Sequence, residues 1–127
     1  MIYRLFPFCV LAFAISCAAP EQEQVAEKVD AATFSEKLAS LEEVQLVDVR
    51  TPEEYANGAI QNAININFYD ESFGEQIVKL DKSKPVLVYC QGGVEGGRSG
   101  QTMAKLKELG FEEVYELAGG YGGWSKE

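Results

Sequence analysis

Short apolar runs alternate with helix-forming segments along most of this chain, and that alternation restricts its fold more than any other feature. Each run is nearly continuous, which is typical of strands covered on both faces in a parallel sheet. An α/β fold with a central parallel sheet flanked by helices is therefore predicted, with ligands bound at the carboxyl ends of the strands. The predicted strands cover residues 44–49, 63–66, 86–89 and 114–117.

The segments between these strands carry start and stop signals for helices. Asp30 can cap a helix whose apolar face includes Phe34 and Leu38. Thr51 followed by Pro52 predicts a second, brief helix. With 127 residues, the chain has room for one such domain and no second core. Two further helices are predicted over 73–80 and 99–109.

The N-terminal segment differs in composition from the rest of the chain. Arg4 precedes an apolar run over residues 5–15, and small residues follow, which is the composition of a secretory signal peptide. The run is shorter than the roughly 20 apolar residues that a membrane-spanning helix needs. We therefore expect residues 1–19 to be a signal peptide and the protein to be exported.

Residues 14–17 resemble the lipobox of bacterial lipoproteins, in which the cysteine is lipidated and becomes the new N-terminus. The resemblance implies lipid attachment at Cys17 and a location in the periplasm or cell envelope, with membrane contact through the lipid anchor only. Secretion as a soluble protein is the alternative. Residues 20–28 are polar and acidic, so we expect a flexible tether there and the folded domain over 29–127.

The charge balance and the lack of histidine exclude several kinds of function. Acidic residues outnumber basic ones by 20 to 11, which gives a net charge of −9. No basic surface is available to neutralise a phosphate backbone, so we expect no nucleic-acid partner. The absence of histidine excludes a Ser-His-Asp triad and a Cys-His pair, and we predict neither a metal site nor a cofactor.

The stretch over residues 86–100 combines a thiol, a glycine-rich loop, an arginine and a helix start. Cys90 follows a buried strand, and Arg98 stands where the next helix begins. Loop amides, the arginine fork and the helix N-terminus together form a cradle for anions, which also lowers the pKa of a cysteine. We therefore predict that Cys90 and Arg98 are catalytic. The residues predicted to bind substrate through their amides are Gln91, Gly92, Gly93, Val94, Glu95, Gly96 and Gly97.

Two further segments resemble the signatures of the rhodanese domain, the fold of thiosulfate and other sulfurtransferases. Residues 48–66 (DVRTPEEYANGAIQNAINI) resemble its N-terminal signature, and residues 117–120 with Trp124 resemble its C-terminal one. The resemblance implies a rhodanese-like three-layer fold. It also implies that Cys90 takes a sulfane sulfur from a small anion such as thiosulfate, or from a persulfide, and forms a persulfide itself. The acceptor would be cyanide or a thiol, including a thiol on a protein.

The loop between Cys90 and Arg98 departs from that family pattern. Seven residues intervene, more than in the sulfurtransferases or the phosphatase-like relatives of the family. A module that binds anions, persulfides or a partner protein without turnover is therefore the alternative function. The loop length argues against a third class, a phosphatase or arsenate reductase. The carboxylate of Glu95 is expected to point into solvent.

Several other side chains are assigned architectural roles. Arg50 is expected to pair with Glu53 or Glu54 and so to fix the chain locally. Tyr121 and Trp124 are expected to dock the last helix, which is the common use of such aromatic anchors.

Overall fold

A computed structural model describes residues 23–126; the predicted signal peptide and Cys17 lie outside the described residues. Within the described part, strands and helices alternate as the apolar runs predicted. The strands are β1 Val25–Val29, β2 Gln45–Asp48, β3 Ile64–Asn65, β4 Val86–Tyr89 and β5 Glu113–Leu117. The helices are α1 Ala31–Ser40, α2 Pro52–Ala56, α3 Phe73–Ile77, α4 Arg98–Glu108 and α5 Gly120–Trp124.

The strands form one sheet in the order β1-β5-β4-β2-β3, and every neighbouring pair is parallel. The predicted three-layer α/β fold is therefore confirmed. Because all strands run in the same direction, their carboxyl ends meet at one edge of the sheet. β4 is the central strand, so the residue that follows it, Cys90, lies at the middle of that edge.

Side chains alternate between the two faces of the sheet, and each face has its own apolar core. On one face Val88 packs with Leu106 of α4, in a cluster that also holds the end of α3. On the other face Leu87 packs with Phe34 of α1, and the ring of Trp124 meets the Phe34 ring edge-on at 5.9 Å. Trp124 thus docks the last helix, as predicted.

The helix starts follow from the predicted capping residues. The Asp30 carboxylate accepts a hydrogen bond from the Thr33 amide at 2.8 Å at the start of α1. α2 begins with a capping box, in which Thr51 and Glu54 each bond the other's backbone N–H. α3 ends at Ile77 and is shorter than the predicted helix over 73–80.

The segment predicted to be a tether differs most from expectation. Residues 25–29 form strand β1, which pairs with β5 from Val25 opposite Glu113 to Val29 opposite Leu117. An edge strand of this kind is held by main-chain hydrogen bonds, so it needs no continuous apolar run. The ordered domain therefore begins several residues before residue 29. No helix within residues 23–126 has the length and apolar character to cross a membrane.

Candidate active site

Cys90 lies at the carboxyl end of β4 and is 3% exposed. Its Sγ is 3.2 Å from the Oγ of Ser99, in the first turn of α4. Burial raises the pKa of the thiol, but hydrogen bonds from the Ser99 hydroxyl and from the amides of Ser99, Gly93 and Gly92 outweigh it, so the pKa of Cys90 is lowered. The fold thus holds a buried thiol in a setting that favours the thiolate.

The first half of the loop is fixed by the turn that follows β5. Gly93 has a φ of 56°, and a Cβ at this position would lie 2.6 Å from both the Gly120 amide nitrogen and the Leu117 carbonyl oxygen. Gly120 is equally constrained, because its Cβ would lie 2.6 Å from the Cys90 carbonyl oxygen. The Tyr121 amide in turn donates to that carbonyl at 2.8 Å. Both glycines are therefore required by a close backbone approach.

The second half of the loop forms a turn of its own. The Gly97 amide donates to the Val94 carbonyl at 3.0 Å, and Gly96 has a φ of 71°, as the third residue of a type II turn requires. The Glu95 side chain is fully exposed, with its carboxylate 3.8 Å from the Lys28 ammonium, which confirms that it points into solvent. The additional loop length is thus taken up by the turn.

Some of the amides predicted to bind substrate lie at the thiol itself. Of the seven residues predicted to bind through their amides, Gly92 and Gly93 direct theirs at Sγ, and the amide of Ser99 joins them. The Ser99 contribution was not predicted, although a serine directly after the arginine at a helix start is a signal that could have suggested it.

Arg98 is the first residue of α4, and its guanidinium binds a carboxylate. Its Nη1 and Nη2 donate to the two oxygens of Glu54 at 2.6 and 3.1 Å, and its guanidinium carbon lies 5.7 Å from the centre of the Tyr69 ring. The Arg98 hydrogen bond lowers the pKa of Glu54 to about 2. Arg98 therefore lies near the predicted site with its fork of donors already engaged.

Arg50 has a different partner from the one predicted. Pairing with Glu53 or Glu54 was expected, and this prediction is wrong, since Arg50 binds Asp48 and Glu54 binds Arg98. The two side chains are on the opposite face of the sheet from the thiol, and the Nη2 to Oδ2 distance is 2.7 Å. A single residue separates the partners, so both side chains lie on the same side of the chain at the end of β2.

The remaining donors of Arg50 are also satisfied. Nη2 donates to the Gly58 carbonyl at 2.7 Å, and Nη1 donates to Oε1 of Gln91 at 3.0 Å. The guanidinium carbon lies 4.3 Å from the centre of the Tyr121 ring. Arg50 thus joins the N-terminal signature segment, residues 48–66, to the active-site loop and to α5.

A buried carboxylate near the thiol was not predicted. Glu116 in β5 is 3% exposed, and its Oε2 accepts a hydrogen bond from Ser99 Oγ at 2.6 Å. A charged residue inside the apolar run over 114–117 is the sequence signal that could have found it, because buried glutamates are rare unless they have a partner. Within residues 23–126, no group of three or more His, Cys, Asp or Glu side chains could hold a metal ion.

Comparison with protein families and curated proteins gives a consistent result. The family model described as "Rhodanese-like domain" matches residues 30–127. A protein named sulfurtransferase from Allochromatium vinosum is 33% identical over 99 residues, which cover 78% of this chain and 88% of that protein. A protein named thiosulfate sulfurtransferase GlpE from Coxiella burnetii is 38% identical, covering 69% of this chain and 78% of its own.

Solved structures of similar chains share the same architecture. A rhodanese-related protein from Thermoplasma volcanium superposes with a TM-score of 0.67 at 28% identity, covering 79% of this chain and 91% of that one. A rhodanese-like domain protein from Staphylococcus aureus gives a TM-score of 0.66 at 30% identity, covering 77% and 90% respectively. The likeness thus extends over nearly the whole length of these two solved chains.

Proposed function

The chain belongs to the rhodanese-like domain family, and from that premise we propose that it is a sulfurtransferase in which Cys90 carries the transferred sulfur. The observation that supports this most directly is the position of a buried thiol with a lowered pKa at the carboxyl edge of the sheet, facing the amides of Gly92, Gly93 and Ser99. Relatives covering most of this chain are named sulfurtransferases, which supports the same kind of activity.

The proposed first half-reaction is a displacement at sulfur. The Cys90 thiolate attacks the outer, sulfane sulfur of thiosulfate, a new S–S bond forms, and the bond to the sulfite group breaks. Sulfite leaves as a dianion with the electron pair of the broken bond, and the outer sulfur of the Cys90 persulfide keeps the negative charge that it carried in thiosulfate. The amides of Gly92, Gly93 and Ser99 are placed to stabilise that charge. A small persulfide can replace thiosulfate, with a thiolate as the leaving group.

The second half-reaction returns Cys90 to its starting state. A thiolate acceptor, or cyanide, attacks the outer sulfur of the persulfide, and Cys90 leaves as a thiolate. The acceptor becomes a persulfide or thiocyanate, so atoms and charge balance over the cycle without any redox partner. A thiol on a protein is an acceptor of the same chemistry.

One observation favours the alternative, a module that binds without turnover. Both Nη atoms of Arg98 already bind Glu54, so an anionic donor must displace a carboxylate before it can use the arginine. If that displacement does not occur, the loop can hold an anion or a partner's persulfide while transfer remains slow. Turnover itself therefore separates the two functions.

Mass spectrometry of the protein after incubation with thiosulfate tests the proposal. We expect the peptide containing Cys90 to gain one sulfur atom, and cyanide to remove it with release of thiocyanate. The Cys90→Ser variant is the control and should gain none. Failure of folded protein to acquire sulfur on Cys90 from either thiosulfate or glutathione persulfide would reject the sulfurtransferase function and leave the binding module.

Export and lipidation extend the proposal to the location of the protein. The signal composition of residues 1–19 and the lipobox-like segment ending at Cys17 support a lipid-anchored protein of the periplasm or cell envelope. Fractionation of expressing bacteria should place the wild-type protein with membranes, and Cys17→Ala should release it or block its processing. Recovery of wild-type protein in the soluble fraction with Cys17 unmodified would contradict lipidation.

A further inference from the structure

We infer that Glu116 takes the proton of the Cys90 thiol through the hydroxyl of Ser99, and that the proton leaves on the β1 side of the domain. The inference deepens the proposed sulfur transfer and rests on it, because it supplies the thiolate that the first half-reaction needs. A histidine base for Cys90 is excluded, since the chain has no histidine. The structure assigns a proton acceptor of another kind.

The three side chains form a continuous line of hydrogen bonds inside the domain. Cys90 Sγ lies 3.2 Å from Ser99 Oγ, and Ser99 Oγ lies 2.6 Å from Glu116 Oε2. All three residues are buried, with 3% exposure or less. The hydroxyl can accept from the thiol while it donates to the carboxylate, which is the geometry that a proton relay requires.

The fold places Glu116 on the face that carries the thiol. Glu116 lies opposite Val88 in the β4–β5 ladder, and Val88 and Cys90 are on the same face because strand side chains alternate. Gly100 leaves the necessary space in α4, since a Cβ there would lie 3.3 Å from Oε2. The glycine at position 100 of α4 thus leaves room for the charged side chain of Glu116 on β5.

The charges around Glu116 leave its carboxylate without an ion pair. Lys28 is its neighbour across the β1–β5 ladder, but the Lys28 ammonium lies 3.8 Å from the carboxylate of Glu95. Arg98, in the first turn of α4, is bound to Glu54. Within the described part of the chain, no cation lies within 4.0 Å of Glu116. A buried carboxylate that is held by a neutral donor and has no ion-pair partner can accept a proton.

The proposed step moves two protons and leaves the total charge unchanged. The S–H bond of Cys90 breaks as a new O–H bond forms on Ser99, and the original hydroxyl proton passes to Oε2 of Glu116. After this step Cys90 is a thiolate, the hydroxyl of Ser99 donates to it, and Glu116 is a neutral carboxylic acid. One negative charge is present before and after this step, so the transfer itself does not place a second charge in the interior.

A groove connects Glu116 with solvent on the side away from Glu54. It has a volume of about 350 Å³, and its lining includes Lys28, Glu95, Gln101, Met103 and Glu116. In the sheet order, β5 and β1 lie on one side of β4 and β2 lies on the other. The groove is on the β1 side, whereas Glu54 follows β2, so a proton can leave without crossing the Arg98 pair.

The dependence of Cys90 alkylation on pH tests the relay. Iodoacetamide is added to the full chain between pH 4 and 10, and the modified Cys90 peptide is followed by mass spectrometry, so that other cysteines do not contribute. A shared proton predicts two rises separated by a plateau, since the pair loses its two protons in separate steps and the first leaves a fraction of Cys90 as thiolate. We expect Glu116→Gln to show one rise and about tenfold lower reactivity on the acidic part of the plateau.

Two further variants separate a relay from a fixed charge. Ser99→Ala should also abolish the plateau, because it removes the hydroxyl that links the Cys90 thiol to Glu116 while the Glu116 carboxylate remains. Glu113→Gln is the matched control on the same strand: its carboxylate contacts the Tyr115 hydroxyl, and the two rises should persist. A plateau that survives Ser99→Ala, or a Glu116→Gln profile that keeps two rises, overturns the inference.

The test remains decisive if a variant fails to fold. The wild-type profile alone must have two rises, and a single rise rejects the relay without any variant. Because alkylation needs no sulfur donor, its outcome is independent of the transfer experiment. Two rises without sulfur transfer refute the proposed function and keep the relay. Sulfur transfer with a single rise refutes the relay and keeps the proposed function.

Discussion

Two arginine–carboxylate pairs lie near the carboxyl edge of the sheet, and they differ in almost every physical respect. The side chains of Arg50 and Asp48 are 2% and 0% exposed, whereas those of Arg98 and Glu54 are 18% and 30% exposed. Arg50 also binds a main-chain carbonyl, a glutamine and an aromatic ring. Arg98 binds one carboxylate and has a tyrosine ring nearby.

The difference indicates which arginine is available for a ligand. A guanidinium surrounded by buried partners leaves an uncompensated charge if any partner departs, so Arg50 is an architectural residue. A partly exposed guanidinium can exchange a carboxylate for another anion at little cost in free energy, because partly exposed ion pairs contribute little to stability. Arg98 therefore remains the candidate for binding an anionic donor, even though a carboxylate now occupies it.

The largest effect is expected from neutralising the buried pair. Asp48→Asn keeps the shape of the side chain and leaves the Arg50 guanidinium uncompensated, which should lower the free energy of unfolding by about 3–5 kcal/mol. Urea denaturation followed by circular dichroism measures this. Glu54→Gln, which neutralises the other carboxylate, is the matched control and should change stability by about 1 kcal/mol or less. Equal losses of unfolding free energy in the two variants would show that the two ion pairs do not differ in their contribution to stability.

Removing Arg98 should affect activity far more than folding. Arg98→Ala is expected to reduce kcat/KM for thiosulfate by about 100-fold, since the cation proposed to bind the anionic donor is lost. Stability should fall by about 1 kcal/mol or less. Arg98→Lys keeps the charge without the fork and should give an intermediate rate. A loss of stability like that of Asp48→Asn, with normal kcat/KM in the remaining folded protein, would show that Arg98 is structural.

The loop offers a third test, because the two arginines contact its two ends. Arg50 holds Gln91 in the fixed half, whereas Arg98 follows the turn. Deleting residues 94–96 removes most of the turn and should shift the preference from glutathione persulfide toward thiosulfate by about tenfold, or roughly 1.4 kcal/mol. A shorter loop is less costly to order around a small anion. Unchanged relative kcat/KM values for the two donors would show that the turn does not set specificity.

The smallest effect concerns the pH dependence of the exposed pair. The pKa of Glu54 falls from 4.5 to about 2 on pairing with Arg98, so its stabilisation is fully present above pH 4.5 and disappears as the pH falls toward 2. Because the pair is partly exposed, this contribution is about 1 kcal/mol or less. The stability difference between wild type and Glu54→Gln, measured by urea denaturation, should therefore vanish over that interval. A difference that persists at pH 2 contradicts the assigned pairing.

The sequence was informative where a property is set locally. Apolar runs locate four of the strands, and strand direction follows from the helices between them, so the position of Cys90 at the sheet edge was predictable. The caps of α1 and α2 were predictable for the same reason, because capping partners lie within three residues. Trp124 was identified correctly as an anchor, because docking a helix is the common use of such aromatic side chains.

Features that depend on distant partners were missed. β1 is a strand because β5 provides its hydrogen bonds, and no pattern within residues 25–29 reports that partner. The partners of Glu54 and Glu116 are distant in sequence, on α4, and local charge pairing suggested the wrong partner for Arg50. Because these long-range contacts are buried, they strongly constrain the fold. The helical or strand periodicity of the sequence nevertheless carries no information about them.

The order of the strands also governs when the domain can exist during synthesis. Among the strands of the described residues, β5 is the last to leave the ribosome, yet it lies between β1 and β4 in the finished sheet. Until Leu117 has emerged, β1 has no strand to pair with, and β4 has no neighbouring strand on one of its two edges. The turn at Gly119 and Gly120 that holds the active-site loop comes later still. Contacts between segments far apart in a chain form slowly, so the nascent domain stays unfinished, and its thiol without this surrounding structure, until these residues have been translated.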